Sequence, residues 1–108
     1  MVVLCNGNTA SAAELFTAAL RDYELAKIVG QKTFGKGTMQ TTRLLSDGSA
    51  LKLSVAYYNP PSNVSYDKIG IKPDYEVTLT EYWENRYFKM PMDEDTQLQK
   101  AIELLNSK

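Results

Sequence analysis

Ser11 and Lys36 are the two side chains whose types and settings could do covalent chemistry together. Ser11 lies in Thr9-Ala10-Ser11-Ala12-Ala13-Glu14, after the turn-forming Asn6-Gly7-Asn8 and at the start of a run with helical spacing. The first amides of a helix have no acceptor inside it and its dipole is positive at that end. Negative charge developing on or near a serine there is therefore stabilised. The same residues fit Ser-x-x-Glu, a capping box in which the hydroxyl merely accepts a backbone N–H, and the local sequence leaves cap and nucleophile both open. Lys36 sits between Gly35 and Gly37. Glycines allow close backbone approach or positive φ and so can aim a lysine into a crowded pocket; a solvated loop lysine is the other reading.

The chain has no histidine and a single cysteine, Cys5. Ser-His-Asp and Cys-His mechanisms are thereby removed, with nearly every zinc site, and no metal or cofactor is expected. A serine can instead be activated by a neutral lysine, provided burial lowers the amine pKa from about 10.4 toward neutrality. Gln40 could hydrogen-bond that amine and fix its direction. On a straight strand, however, positions four apart lie about 13 Å from each other, so the backbone would have to curl at Gly37.

Gly30 to Gly37 nearly matches the phosphate loop G-x-x-x-x-G-K-[ST]. Gly37 replaces the hydroxyl that would hold magnesium, and Thr38-Met39-Gln40-Thr41-Thr42 favours strand over helix, so nucleotide binding is not expected. Cys5 lacks a base, and its apolar setting raises a thiol pKa; it reads as core.

The elements that must position these residues follow from patterning. Met1 to Cys5 is a β-branched-rich run expected to be a strand buried on both faces. Ala12, Leu15, Phe16, Ala19 and Leu20 mark the apolar stripe of a helix reaching about Asp22, and Ala26 to Gly30 is a second, parallel strand. Met39 to Leu45 and Ala50 to Tyr58 flank Ser46-Asp47-Gly48-Ser49, a hairpin signal. Leu51, Leu53, Val55 and Tyr57 are expected on its buried face. Asn59 to Asn63, with adjacent prolines, is a loop. Thr96 and Gln99 fit a capping box for a terminal helix with Leu98, Ala101, Ile102 and Leu105 on one stripe. The aromatic-rich Tyr82 to Met92 has no clear assignment; Tyr82, Trp83, Tyr87 and Phe88 fit packing or a partner surface.

At 108 residues and 44% hydrophobic content the chain is one domain, and a formal charge of -1 excludes broad electrostatic attraction to nucleic acid or anionic lipid. No apolar run reaches the roughly 18 residues of a membrane span, and no signal segment is evident, so the chain as it stands reads as soluble. Because a parallel partner arrives only through a long crossover, opening on a central strand suggests that sequence precedes Met1. Unpaired edges at Met1 to Cys5 are expected to promote homodimerisation or strand exchange.

Taken in order, the strand-turn-helix around Ser11, Val29-Gly30 with Thr33-Phe34-Gly35-Lys36-Gly37, Gln40, the Asp47-Gly48-Ser49 hairpin and Gly70-Ile71-Lys72-Pro73-Asp74 resemble the carboxyl-terminal processing peptidases, or tail-specific proteases. The likeness runs from Met1 to about Val77. It implies an α/β fold, a Clp-protease- or crotonase-like βαβ core with a β-hairpin and a C-terminal helix, with residues 1–108 as the later portion of a peptidase domain. It also implies a serine endopeptidase acting on polypeptide substrates near their C-terminal tails, with Ser11 as nucleophile, Lys36 as general base, Gln40 positioning the lysine and the Ala12 amide as one oxyanion donor.

By the family's pattern the second oxyanion donor is an upstream glycine, and a PDZ domain and a signal or anchoring segment also lie upstream, in an extracytoplasmic or membrane-associated setting. These 108 residues alone are then expected to be inactive. Asn63 stands where the family's Pro-x-Gly loop has glycine, and Thr9 varies the approach to the nucleophile. The competing reading is a peptidase-like binding or assembly module without catalysis.

Overall fold

The computed structural model describes residues 1–107. β1 (Val2–Cys5) leads through the Asn6-Gly7-Asn8 turn into α1 (Ala12–Asp22), which returns to β2 (Lys27–Gly30). β1 and β2 are parallel, with Val2 opposite Lys27 and Cys5 opposite Gly30, so the expected βαβ unit is present. A short β5 (Tyr75–Glu76), which carries no sequence signal, adds in parallel on the other side of β2 and completes a β1-β2-β5 sheet. β1 therefore lies at an edge, and Leu4 is 43% exposed where burial on both faces was expected.

The buried face of α1 is not its apolar stripe. Glu14, Thr17 and Ala18 are buried, whereas Phe16 is 63% exposed. Polar groups can be buried there because each finds a partner: Thr17 Oγ1 donates to the Ala13 carbonyl at 2.8 Å, and Glu14 is the centre of the network described below.

β3 (Thr38–Leu44) and β4 (Ala50–Tyr57) form the expected hairpin, with a register shift between Met39 and Gln40. Among the described residues, no other helix or strand packs substantially on this two-stranded ribbon. The Tyr58 amide closes its base by donating to the Gly37 carbonyl at 2.7 Å, and the Gly37 amide ties that base to Asp67 Oδ1 at 2.9 Å. The Leu51, Leu53, Val55 and Tyr57 positions consequently stay exposed, contrary to the alternation-based expectation. Alternation identifies an apolar face but not what covers it.

The chain then loops through Asn59 to Asn63, where Asn63 adopts the left-handed φ of 58° that its polar side chain tolerates. The aromatic segment holds the short α2 (Glu81–Glu84) and a 3₁₀ turn at Tyr87–Lys89, and α3 (Thr96–Asn106) packs against β1 and β2. The α3 cap is Asp95, one residue before the expected one. Its carboxylate accepts from the Leu98 amide at 2.9 Å, while Thr96 Oγ1 turns away to the Thr78 carbonyl. Among the described residues no helix is long and apolar enough to cross a membrane.

Two small cores result. Cys5, Ala26 and Ile28 form one with Val3 and Leu20; Ala18, Tyr66 and Ile71 form the other with Tyr58. The radius of gyration is 16.9 Å, against about 13 Å for a compact chain of this length. The accessible surface is 7537 Å², against about 6,000 Å² for a monomer of this mass.

Burial pushes the Cys5 thiol up to about 11 from its ordinary 9.0. Two units make the native thiolate roughly 100-fold scarcer than the unfolded one at pH 8. Since the folded value is the higher one, this contribution to stability is intact below pH 9 and is lost as pH rises toward 11. A disulfide reagent should react slowly with native Cys5 at pH 8, its rate climbing up to about pH 11, and fast in denaturant. Equal native and denatured rates at pH 8 would contradict the burial.

The Tyr66 hydroxyl is buried without a hydrogen-bond partner among the described residues. Tyr66→Phe removes an unsatisfied polar group, so the urea midpoint should hold or rise, by up to about 1 kcal/mol in stability. A loss of that size would mean the hydroxyl is paired.

Candidate active site

Ser11 sits at the entry to α1 with φ 58° and ψ -120°, a conformation outside the extended region that serine caps use. Holding a non-glycine residue there costs about 1–3 kcal/mol, and such strain collects at functional sites. The Glu14 amide pairs with the Ser11 carbonyl at 2.9 Å, and no cap hydrogen bond reaches the Ser11 hydroxyl. The Ser-x-x-Glu capping box is present in both directions, and its reverse half, from the Ser11 amide to Glu14 Oε2, is a hydrogen bond of 2.9 Å. A strand, a tight turn, a serine with these angles and a helix make a strand-to-helix elbow at Ser11.

Glu14 is fully buried, and its carboxylate accepts four hydrogen bonds. Oε1 takes the Thr33 hydroxyl at 2.6 Å and the Gly35 amide at 2.7 Å. Oε2 takes the amides of Ser11 at 2.9 Å and Lys36 at 2.8 Å. A carboxylate offers about four lone-pair positions, so its capacity is filled. Thr33 Oγ1 accepts in turn from the Ile71 amide at 2.7 Å, which extends the network to the Tyr66–Ile71 segment. Next to this network, burial, aided by Glu14, Tyr58 and Asp67, pushes the Tyr66 hydroxyl up to about 12 and keeps it protonated.

The loop carrying Lys36 has no freedom to drift. The Phe34 amide donates to the Thr9 carbonyl at 3.0 Å, the Lys68 amide to the Gly35 carbonyl at 2.8 Å, and the Gly37 amide to Asp67 Oδ1 at 2.9 Å. Both glycines beside Lys36 are required. Gly35 has φ 90°, and a Cβ on it would lie 2.8 Å from the Gly70 nitrogen; a Cβ on Gly37 would lie 2.7 Å from that of Asp67. The close approach anticipated for these glycines is thus realised, and Lys36 itself is half-buried.

Of the residues singled out from sequence, Ser11, with its neighbour Ala12, and Lys36 come together through their backbones. The Ser11 and Lys36 amides share one carboxylate oxygen, so they can be no farther apart than those two bonds laid end to end. Ala12, exposed in the first turn of α1, has an amide that donates to no acceptor among the described residues, while those of Ala13, Glu14 and Leu15 are all engaged. Gln40 lies on the exposed ribbon, where its side-chain amide donates to Ser54 Oγ at 3.5 Å. Sequence alone marks Glu14 only as a cap partner and does not single out Thr33. The available signal is a run of amides around two glycines with no ladder to join and therefore in need of an acceptor.

Fold and sequence together define a peptidase-class α/β chain. More narrowly, it belongs to peptidase family S41, whose sequence profile matches residues 1–77. It is 41% identical over 105 residues to a carboxyl-terminal-processing protease of Synechocystis, covering 97% of this chain and 24% of that protein. The structure of the photosystem II D1 C-terminal processing protease superposes with a TM-score of 0.67 at 47% identity, over 71% of this chain and 20% of that one. Mature CPAF shares the fold over 99% of this chain and 21% of its own, with a TM-score of 0.76 at 24% identity. The chain thus spans about a quarter or less of the length of these relatives.

Glu14→Gln would turn an NH₂ toward donors that need an acceptor. It is expected to lower stability by about 3 kcal/mol, read as a reduced urea midpoint at unchanged slope. A Glu14→Gln variant within about 1 kcal/mol of the parent would show that the clamp is dispensable.

Proposed function

We propose that this chain carries the nucleophile and general base of a Ser-Lys serine endopeptidase acting on polypeptide substrates near their C-terminal tails. The observation that carries the reading is the single Glu14 oxygen gripping the backbones of both Ser11 and Lys36. The strained elbow at Ser11 and membership of peptidase family S41 support it independently.

In this mechanism neutral Lys36 takes the Ser11 proton as Oγ attacks the substrate carbonyl carbon. The oxyanion forms against the Ala12 amide, at the positive end of α1. Protonated Lys36 gives its proton to the leaving amine as the C–N bond breaks, leaving an acyl-serine. Water then attacks that ester with Lys36 again as base, and Ser11 is regenerated. No step uses a metal or cofactor. Gln40 is proposed to steer the amine, which requires its side chain to leave Ser54 when substrate binds.

Residues 1–108 are proposed to be the later portion of a larger catalytic domain, with a second oxyanion donor contributed from upstream and little activity by themselves. Exposed Phe16 on α1 and the bare face of β4 support this as apolar surface of the kind that a domain interior covers, and so does the unpaired backbone edge of β1, which offers a ladder to a further strand. The same edge would let isolated copies dimerise or exchange strands. An extracytoplasmic or membrane-associated setting for the longer polypeptide is proposed from the family resemblance.

In that longer polypeptide, Ser11→Ala and Lys36→Ala should each lower peptide cleavage by at least about 1,000-fold. Lys36→Arg should be as inactive, because a guanidinium does not give up its proton. Cleavage by Ser11→Ala above a tenth of the parent rate would sink the assignment.

A further inference from the structure

Phe34 is 66% exposed, and a single exposed aromatic is ordinary in a folded chain. Its placement is what sets it apart. Burial alternates along the loop: Thr33 is 3% exposed, Gly35 and Gly37 are buried, and Phe34 and Lys36 are the positions that turn outward between them. The backbone beneath the ring is fixed on both sides. The Phe34 amide is bonded to the Thr9 carbonyl, two residues before Ser11, and the next amide, of Gly35, is bonded to Glu14 Oε1. The backbone that carries the ring is thus pinned between the approach to the serine and the glycine that precedes the lysine. Other exposed apolar side chains lie on the ribbon and the aromatic segment, and Ile69, 63% exposed, has its backbone against the same loop at Gly35.

We propose that Phe34 is a specificity-determining residue, forming an apolar wall against the substrate side chain that flanks the scissile bond. The preferred substrate is then a polypeptide with an aliphatic or aromatic residue at the cleavage point. This rests on the Ser-Lys assignment. A largely exposed ring on a backbone that is already fixed leaves little of the loop to order when an apolar side chain covers it, so contact there stabilises bound substrate without reorganising the site.

The test uses the longer polypeptide and two peptides identical except at the two residues flanking the cleaved bond, leucine in one and serine in the other. The parent should favour the leucine peptide. Phe34→Ala should lower kcat/KM on that peptide about tenfold or more while leaving the serine peptide within about twofold, and Phe34→Leu should restore most of the preference. Because the side chain is largely exposed, the Phe34→Ala melting temperature should stay close to the parent's.

Equal loss on both peptides, no loss on either, or no preference in the parent would overturn the proposal. Ser11→Ala measured alongside keeps the two ideas separate. If that variant cuts both peptides at the parent rate, the site assignment fails; if it is inert while Phe34→Ala shows no bias, only the role of Phe34 fails.

Discussion

One buried carboxylate organises this molecule. Glu14 reaches from the first turn of α1 to the loop after β2 and accepts from Ser11, Thr33, Gly35 and Lys36 at once. A buried charge is tolerable when its hydrogen-bonding capacity is met, and the converse holds for the donors. Without Glu14 the amides of Gly35 and Lys36 would be left without partners near the core, because this loop joins no ladder. Helix and loop therefore define each other's position through a group that belongs to neither the apolar core nor the sheet. The grip is on backbone, so the Ser11 hydroxyl and the Lys36 amine remain available for other work.

The neighbouring geometry is subordinate to that contact. Thr33 can lend its hydroxyl to Glu14 because the Ile71 amide supplies a donor in return. Gly35 and Gly37 allow the Lys68 and Asp67 backbone to close over the loop without a Cβ in the way. Even the unusual face buried by α1 follows. With Glu14 turned inward, Thr17 and Ala18 come with it at helical spacing, and Phe16 rotates to the surface.

Local signals in the sequence translate well and long-range ones do not. The βαβ unit, the Asp-Gly hairpin and the left-handed Asn63 are legible because periodicity and turn chemistry act over a few residues. Ser11 is ambiguous because cap and elbow share one local pattern, and only the backbone angles separate them. Glu14 is easily misread because its partners at 33, 35 and 36 are distant in sequence, and no spacing rule announces a carboxylate that serves backbone amides. The exposed face of β4 defeats the alternation rule for a related reason: alternation shows that a face is apolar, and burial depends on what lies opposite. β5 escapes notice because two residues carry too little pattern to register.

The Glu14 clamp also imposes an order on how this chain comes to be. In an extended polypeptide Glu14 is a hydrated side chain, and the loop bearing Lys36 is a separate piece of chain some twenty residues away. Their meeting requires that α1 has formed and that β2 lies beside β1, so the backbones of Ser11 and Lys36 are held to one oxygen only in the folded chain. The strained serine elbow is likewise sustained only by the finished tertiary structure. A copy that has not completed its sheet would leave Ser11 and Lys36 unjoined, so folding itself assembles this constellation.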